Sequence, residues 1–542
     1  MSADLTGVRP MPQPEAQSGA APPERIGPRS TMFLVLSYRH RAGEEGRFDL
    51  DAFEGTLLKT NRWRRKNIDD AGLLPHLDAQ VEQGIIIRAF EATAELANMF
   101  DPRAVWSFQR PPRKPKADAK ADLKASAKAE AKPEAKPDAK PEAKPEARPD
   151  AKPDAKAPCV TVKILGAPTL FVMKTGYVFM VLGVRPAGDT LKEFQDAYAC
   201  VVRRGWNHLT PETLPRKKAG AGGESKPHPL ALLAEAQGGL ADTTLRHWLA
   251  LLVPDLNPAP PQGGRKNPMA INALFVAQPL SRGEQYRVRL AHHSDQIEPP
   301  PDDDDDGLFT AWRPSAIEQC LFSPLSVTWV VHALEPSGFL GRFDEVLRDR
   351  YVYKWILVEH QRLRLIWLSA MCAKMSDAPD ARTFRWLRLE LLNYTAIYDF
   401  GHISSEERHD KFYRAMRRAL DVDGLFAEVK DEINEINNHL SAEREAILNE
   451  VLAFLALVLT PVGLVIGIYQ RETLPPEPFE LRLLISPSAW ATLLKHWPFW
   501  FVVLSAVMGG FVFTRVLGAS SVRRLLERLR FGSDRRGKAR RS

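Results

Sequence analysis

The sequence predicts an α/β (or α+β) cytoplasmic domain followed by long stalk helices and two C-terminal transmembrane helices. Three observations carry that expectation. Short apolar runs bounded by Gly and Pro clusters recur through the first 336 residues, as buried strands require. An apolar stripe through Leu425, Val429, Ile433, Ile436, Leu440, Glu443, Ile447 and Val451 repeats about every 3.7 residues, a helical spacing slightly above that of a left-handed coiled coil. Two charge-free runs lie near the end of the sequence, residues 451–469 (VLAFLALVLTPVGLVIGIY) and 497–514 (WPFWFVVLSAVMGGFVFT).

At 1.5 Å per residue the first run is about 28 Å long as a helix, close to the hydrocarbon thickness of a bilayer. A pair of buried core helices is the alternative, but two such runs followed by an arginine-rich tail favour the membrane. Of the net charge of +7, residues 515–542 hold ten Lys/Arg against two acids, so the basicity belongs to a tail and no nucleic-acid-binding face is expected. The segment 470–496 between the runs balances Arg471, Arg482 and Lys495 against Glu472, Glu477 and Glu480. It is the outer loop by the positive-inside rule, which places both termini in the cytoplasm and the chain, multi-pass, in the inner (plasma) membrane. Residues 1–30 contain no apolar core of a signal peptide. Cys159, Cys200, Cys320 and Cys372 are scattered without CxxC spacing, which excludes a disulfide scaffold and argues against structural zinc.

The elements follow in order. Residues 1–30, rich in Pro, Ala and Gly, read as disordered. Residues 31–110 begin the cytoplasmic domain with a strand at 32–38 (MFLVLSY). Residues 111–157 form a spacer with six Pro-(Glu/Asp)-Ala-(Lys/Arg) tetrads, and proline at every fourth position forbids a continuous helix. Residues 158–336 resume the domain. Strands are expected at 159–165, 169–173 and 177–184, the last two joined as a hairpin by Lys174-Thr175-Gly176. Asp189 or Thr190 caps a helix whose face carries Leu191, Phe194, Tyr198 and Val201, stopping at Gly205. Further strands are expected at 273–277, 285–291 and 326–334. Residues 337–450 are helical: one long helix over 343–375, a break at 376–381, a return helix over 383–400, and the stalk.

Motifs for catalysis are absent: the sequence has no HExxH, no GxSxG and no P-loop, and Gly263-Gly264-Arg265-Lys266 lacks phosphate-cradle spacing, so no enzyme is expected. His292-His293 with Asp295, and His402 with His409, are weak ligand pairs without a third partner. Asp302, Asp303, Asp304, Asp305 and Asp306 are a candidate site for Mg²⁺ or another hard divalent cation, with a solvated acidic loop as the plainer alternative.

A stalk helix entering the first of two spans, a short outer loop, a second span and a basic tail together resemble the CorA-like metal-ion transporter family. The likeness is strongest over 421–541, where Thr460-Pro461 in mid-span and Gly467-Ile468-Tyr469 at its end match the family's pore helix. The resemblance implies a homopentamer whose first spans line the pore. Glu443, Ile447, Val451, Leu455, Val458 and Val462 would then be pore-lining or gate residues, and Tyr469, Gln470, Arg471 and Glu472 would form the outer mouth. The family's Gly-Met-Asn signature is replaced by Gln470-Arg471-Glu472, which removes the ring that binds hydrated Mg²⁺. Three functions are compatible: a gated cation channel or transporter; a prokaryotic defence effector that permeabilises the membrane on binding a nucleotide second messenger; and a non-conducting membrane-anchored scaffold.

Overall fold

The computed structural model describes residues 25–41, 48–68, 86–108, 160–203, 227–236, 244–292, 311–377 and 381–472, with Leu77, Val81, Leu209 and Leu214 as single positions. Two compact units divide the chain: 1–375 with 385–432, and 376–384 with 433–542.

The first unit is built on a mixed sheet. Its strands are β1 (Thr31–His40), β2 (Trp63–Lys66), β3 (Ile87–Ala92), β4 (Val105–Phe108), β5 (Val160–Ile164), β6 (Thr169–Met173), β7 (Tyr177–Pro186), β8 (Leu256–Asn257), β9 (Met269–Phe275), β10 (Ala311–Ser315), β11 (Glu318–Phe322) and β12 (Ser326–Val331). They run in the order β10-β11-β12-β9-β1-β7-β6-β3-β2, antiparallel except for the parallel pair β12 and β9. The long β7 forks on one edge: residues 178–181 pair with β6, and Val184 to Pro186 pair with β5. The expected hairpin is present, with Gly176 at φ +82° making the turn that a side chain would strain.

Period-two alternation sends successive side chains of these strands to opposite faces. Met32, Leu34, Leu36, Met180, Leu182 and Val184 lie in one core with helices α1 (Leu50–Lys59), α2 (Ala94–Ala97), α3 (Leu191–Tyr198), α4 (Pro229–Ala236), α5 (Leu245–Ala250) and α6 (Arg282–Leu290). On the other face Trp329 of β12 packs its ring against Phe343, Tyr351 and Phe412, and Tyr177 of β7 donates to the Leu363 carbonyl. Those partners belong to α7 (Phe343–Val346), a π-helical turn (Leu347–Tyr351), α8 (Val352–Asp377) and α10 (Glu407–Ala419), which follows α9 (Ala381–Ile397). The result is a three-layer α/β/α unit. The chain is already paired at Ile26, a buried residue whose backbone forms an antiparallel β-bridge with Val276.

Two expectations are corrected. Residues 285–291, expected as a strand, form the body of α6 up to Leu290 and its left-handed C-cap Ala291: Ser281 accepts from the Glu284 amide while Glu284 reaches back to the Ser281 amide, a capping box that starts a helix and overrides the alternation of Tyr286, Val288 and Leu290. The single helix expected over 343–375 is interrupted by the π-helical turn, and it runs on to Asp377 inside the expected break. Thr190, with Glu193 completing the box, is the cap of α3.

The last helix, α11 (Val422–Glu472), has 51 residues and contains the whole first charge-free run as helix. Among the described residues no helix is long and apolar enough to cross a membrane. Side chains at 454, 457, 458, 461, 462 and 464–472 lie outside the description, as do residues 473–542 with the second expected span, the spacer 111–157 and Gly205.

Candidate functional site

The helix that the sequence singles out is anchored at its base by ion pairs within the first unit. Asp421, at φ +50°, turns the chain from α10 into α11. Arg417, near the end of α10, donates from Nη1 to Asp399 Oδ1 at 2.8 Å and to the Tyr413 hydroxyl at 3.2 Å, and from Nε to Asp423 Oδ1 at 3.1 Å. Burial alone would lower the Arg417 pKa, but Tyr413, Asp423 and Asp399 more than offset that and hold the guanidinium charged. One side chain therefore joins the end of α9, the end of α10 and the first turn of α11.

A second anchor lies two turns further along. Ser369 of α8 donates to Glu432 Oε1 at 3.1 Å, and beside it burial and the Glu432 carboxylate push the Cys372 thiol up to about 12, so it is protonated and unreactive. Tyr394 of α9 stacks on Phe426 with ring centroids 5.9 Å apart.

Beyond Glu432 the stripe begins covered and ends bare. Ile433 and Leu440 are buried, Ile436 and Ile447 are half-buried, and Glu443 is exposed. Leu448, Val451, Leu452, Leu455 and Leu459 are 59%, 43%, 61%, 43% and 59% exposed. At about 100° per residue these five fall within an arc of roughly 100°, an apolar face of the width that normally meets a core. Val458 and Val462 share the helix, but their side chains lie outside the described residues, as do those of Tyr469, Gln470, Arg471 and Glu472 at its end.

The remaining candidate ligands do not assemble into a metal site. Asp302, Asp303, Asp304, Asp305, Asp306, His293 and Asp295 lie outside the described residues. His292 stacks on Tyr286 and bonds to Arg203, and His402 pairs with Asp410 at 3.2 Å, so both have ordinary structural partners. Among the described residues no group of three His, Cys, Asp or Glu is placed to hold a metal ion.

Sequence reasoning missed a buried polar and aromatic cluster of the first unit. His360 of α8 is fully buried, 2.7 Å from the Thr175 hydroxyl at the hairpin turn, with its ring edge-on to Tyr177 and Tyr398. Burial, with the nearby Arg364 charge, pushes its pKa down to about 3, so it is neutral. Arg39 of β1 lies over the rings of both Tyr177 and Trp367, and Arg364 lies over Trp367 at 4.2 Å while pairing with Glu390 of α9. The cluster ties the sheet to the α8–α9 pair through charge and aromatic faces, and nothing in local sequence marks it.

No protein-family model matches the chain, and no curated protein matches it in sequence. Among solved structures, the CorA magnesium transporter from Methanocaldococcus jannaschii is similar at 14% identity, over 46% of this chain and 92% of its own, with a TM-score of 0.18. At that TM-score the likeness carries no argument about fold or function.

Proposed function

We propose that the chain is a CorA-like membrane ion channel or transporter that moves cations through a homopentameric pore gated by its α/β unit, in the inner (plasma) membrane with both termini cytoplasmic. The observation that carries this reading is α11. A 51-residue helix anchored by Arg417 and Glu432 continues into nineteen residues without a charge, and its described apolar side chains there are bare. A helix apolar on all sides belongs in a protein core or in lipid.

In a symmetric bundle of such helices, Ile447, Val451, Leu455, Val458 and Val462 form an apolar constriction, which stops ions by dewetting. Glu443, the one charge in the stripe, makes a carboxylate ring that concentrates cations at the inner entrance. Tyr469, Gln470, Arg471 and Glu472 ring the outer mouth. Five arginines there disfavour Mg²⁺, whereas Gln470 amides or Glu472 carboxylates favour a cation. The transported species is cargo, and Mg²⁺ is one candidate among the divalent cations.

The replacement of Gly-Met-Asn by Gln470-Arg471-Glu472 supports a second reading, a defence effector whose pore opens when a nucleotide second messenger binds the α/β unit. Both readings require insertion. Membranes from cells expressing the chain should retain it through alkaline extraction, a reporter after Ser542 should read cytoplasm, and one at Pro476 should read the outer side. Release by alkali, or a tail found outside, removes both.

A further inference from the structure

We propose that the first unit carries a small-molecule site for a phosphate monoester with a flat apolar body, in the cleft where β7 forks between β5 and β6. The cleft encloses about 440 Å³, within the size range of ligand pockets. Its floor and wall are apolar: Phe33 of β1, Val181 and Gly183 of β7, and Leu165 and Pro168 of the β5–β6 turn. Gly183 keeps the floor low, because a Cβ there would stand 3.3 Å from Leu165 and 3.4 Å from Phe33.

Charge supplies the other half of the recognition. Lys66, Arg185 and Arg348 reach the cleft from β2, β7 and the π-helical turn. The carboxylates around it are already engaged: Asp344 and Glu345 with Arg29 at 3.3 and 3.8 Å, Asp349 with Lys66 and Arg348 at 3.1 Å each, and Glu91 with Arg64 at 2.9 Å. Arg185 is different. Its Nε donates to the Ser30 carbonyl at 3.2 Å, and among the described residues it has no carboxylate within 4.0 Å. Burial draws its pKa down, Asp344 opposes that from a distance and Arg29 adds to it, so the guanidinium is a partly desolvated cation facing an open cleft. A planar fork of that kind binds a phosphate dianion through two parallel hydrogen bonds, while Lys66 and Arg348, which share Asp349, stand at the rim. An aromatic or base-like ring then lies on Phe33, Leu165 and Val181.

The site sits where binding has a mechanical consequence. Arg348 lies on the π-helical turn that leads into α8, so a ligand joining Arg185 to Arg348 ties the sheet to the start of the helix whose Ser369 holds the base of α11. That role as gating ligand rests on the pore reading above; the binding itself does not.

The test is equilibrium binding to the purified full chain, which gives its answer whether or not the protein conducts. Phenyl phosphate and adenosine monophosphate are the probes, with inorganic phosphate and phenol as the two halves. Saturable binding of a probe, tighter than that of either half, is expected. Arg185→Gln should weaken it roughly ten- to hundredfold, the loss of a charge-assisted pair. Leu165→Trp, at an exposed position that fills the cleft without altering its charge, should abolish it while leaving the melting temperature unchanged. Arg62→Gln, in the separate cleft bounded by Arg41, His247 and Asp255, should have no effect. Absence of saturable binding, affinity equal to that of inorganic phosphate alone, or binding unchanged in both Arg185→Gln and Leu165→Trp would overturn the proposal.

Discussion

Arg408 of α10 reaches the sheet and pairs with the buried Glu318 of β11, its guanidinium 5.0 Å from the centre of the Trp329 ring. Glu318 also accepts from Trp329 Nε1 at 3.2 Å and from the Ser315 hydroxyl at 2.8 Å, so both of its oxygens accept hydrogen bonds. Arg408→Met leaves that carboxylate buried without its cation, and a loss of about 3–5 kcal/mol is expected. Arg408→Met with Glu318→Gln should recover part of it. Urea denaturation of Arg408→Met, Glu318→Gln and the double variant measures the coupling, and additive losses would mean that the pair is not a unit.

His360 gives the fold a pH dependence of known sign. Its pKa is about 3 in the folded chain against 6.5 when unfolded, so between those values the unfolded chain binds the extra proton. Stability is fully present above pH 6.5 and falls as pH drops toward 3, by about 1.4 kcal/mol per unit from this group. His360→Gln, which can still bond to Thr175, should flatten the difference between melting curves at pH 7 and pH 5. Parallel curves for the two proteins would place the acid sensitivity elsewhere.

The capping box of α6 is worth a direct check, because the alternation of 285–291 pointed to a strand. Ser281→Ala removes the side chain that accepts from the Glu284 amide, and a loss of about 1 kcal/mol is expected. A neutral substitution would mean that the cap contributes nothing to the helix.

What the sequence revealed and concealed follows from the range of the interactions. The β6–β7 hairpin was legible because its turn, its alternation and its partner strand are all local, and the cap at Thr190 was legible for the same reason. Helix α6 was misread because Tyr286, Val288 and Leu290 alternate, while the deciding bond lies outside that window at Ser281. Helix α10 was overlooked because its charges mask a face that buries Phe412, Tyr413 and Met416. The Arg185 cleft draws residues from β1, β2, β3, β7, the β5–β6 turn and the start of the helical region. No single stretch carries a motif for it, and only the fork of β7 brings them together.

The spacer offers a prediction about chain entropy. Phe108 and Val160 are direct partners in the β4–β5 ladder, so the whole segment between them closes a loop across adjacent strands. Deleting residues 133–156 removes about half of that loop and only polar tetrads, so the fold should persist and gain roughly 0.6 kcal/mol. Loss of the folded unit on deletion would show that the tetrads pack against it.

Cation flux through the full chain in sealed liposomes tests the pore most directly. Leu455→Asn, which would hydrate the proposed apolar constriction, is expected to raise basal cation leak well above that of the parent, and adding Glu443→Gln to lower the preference for cations over anions. A Leu455→Asn protein that inserts and assembles normally, yet leaks no more than empty liposomes, would contradict it and favour the non-conducting scaffold.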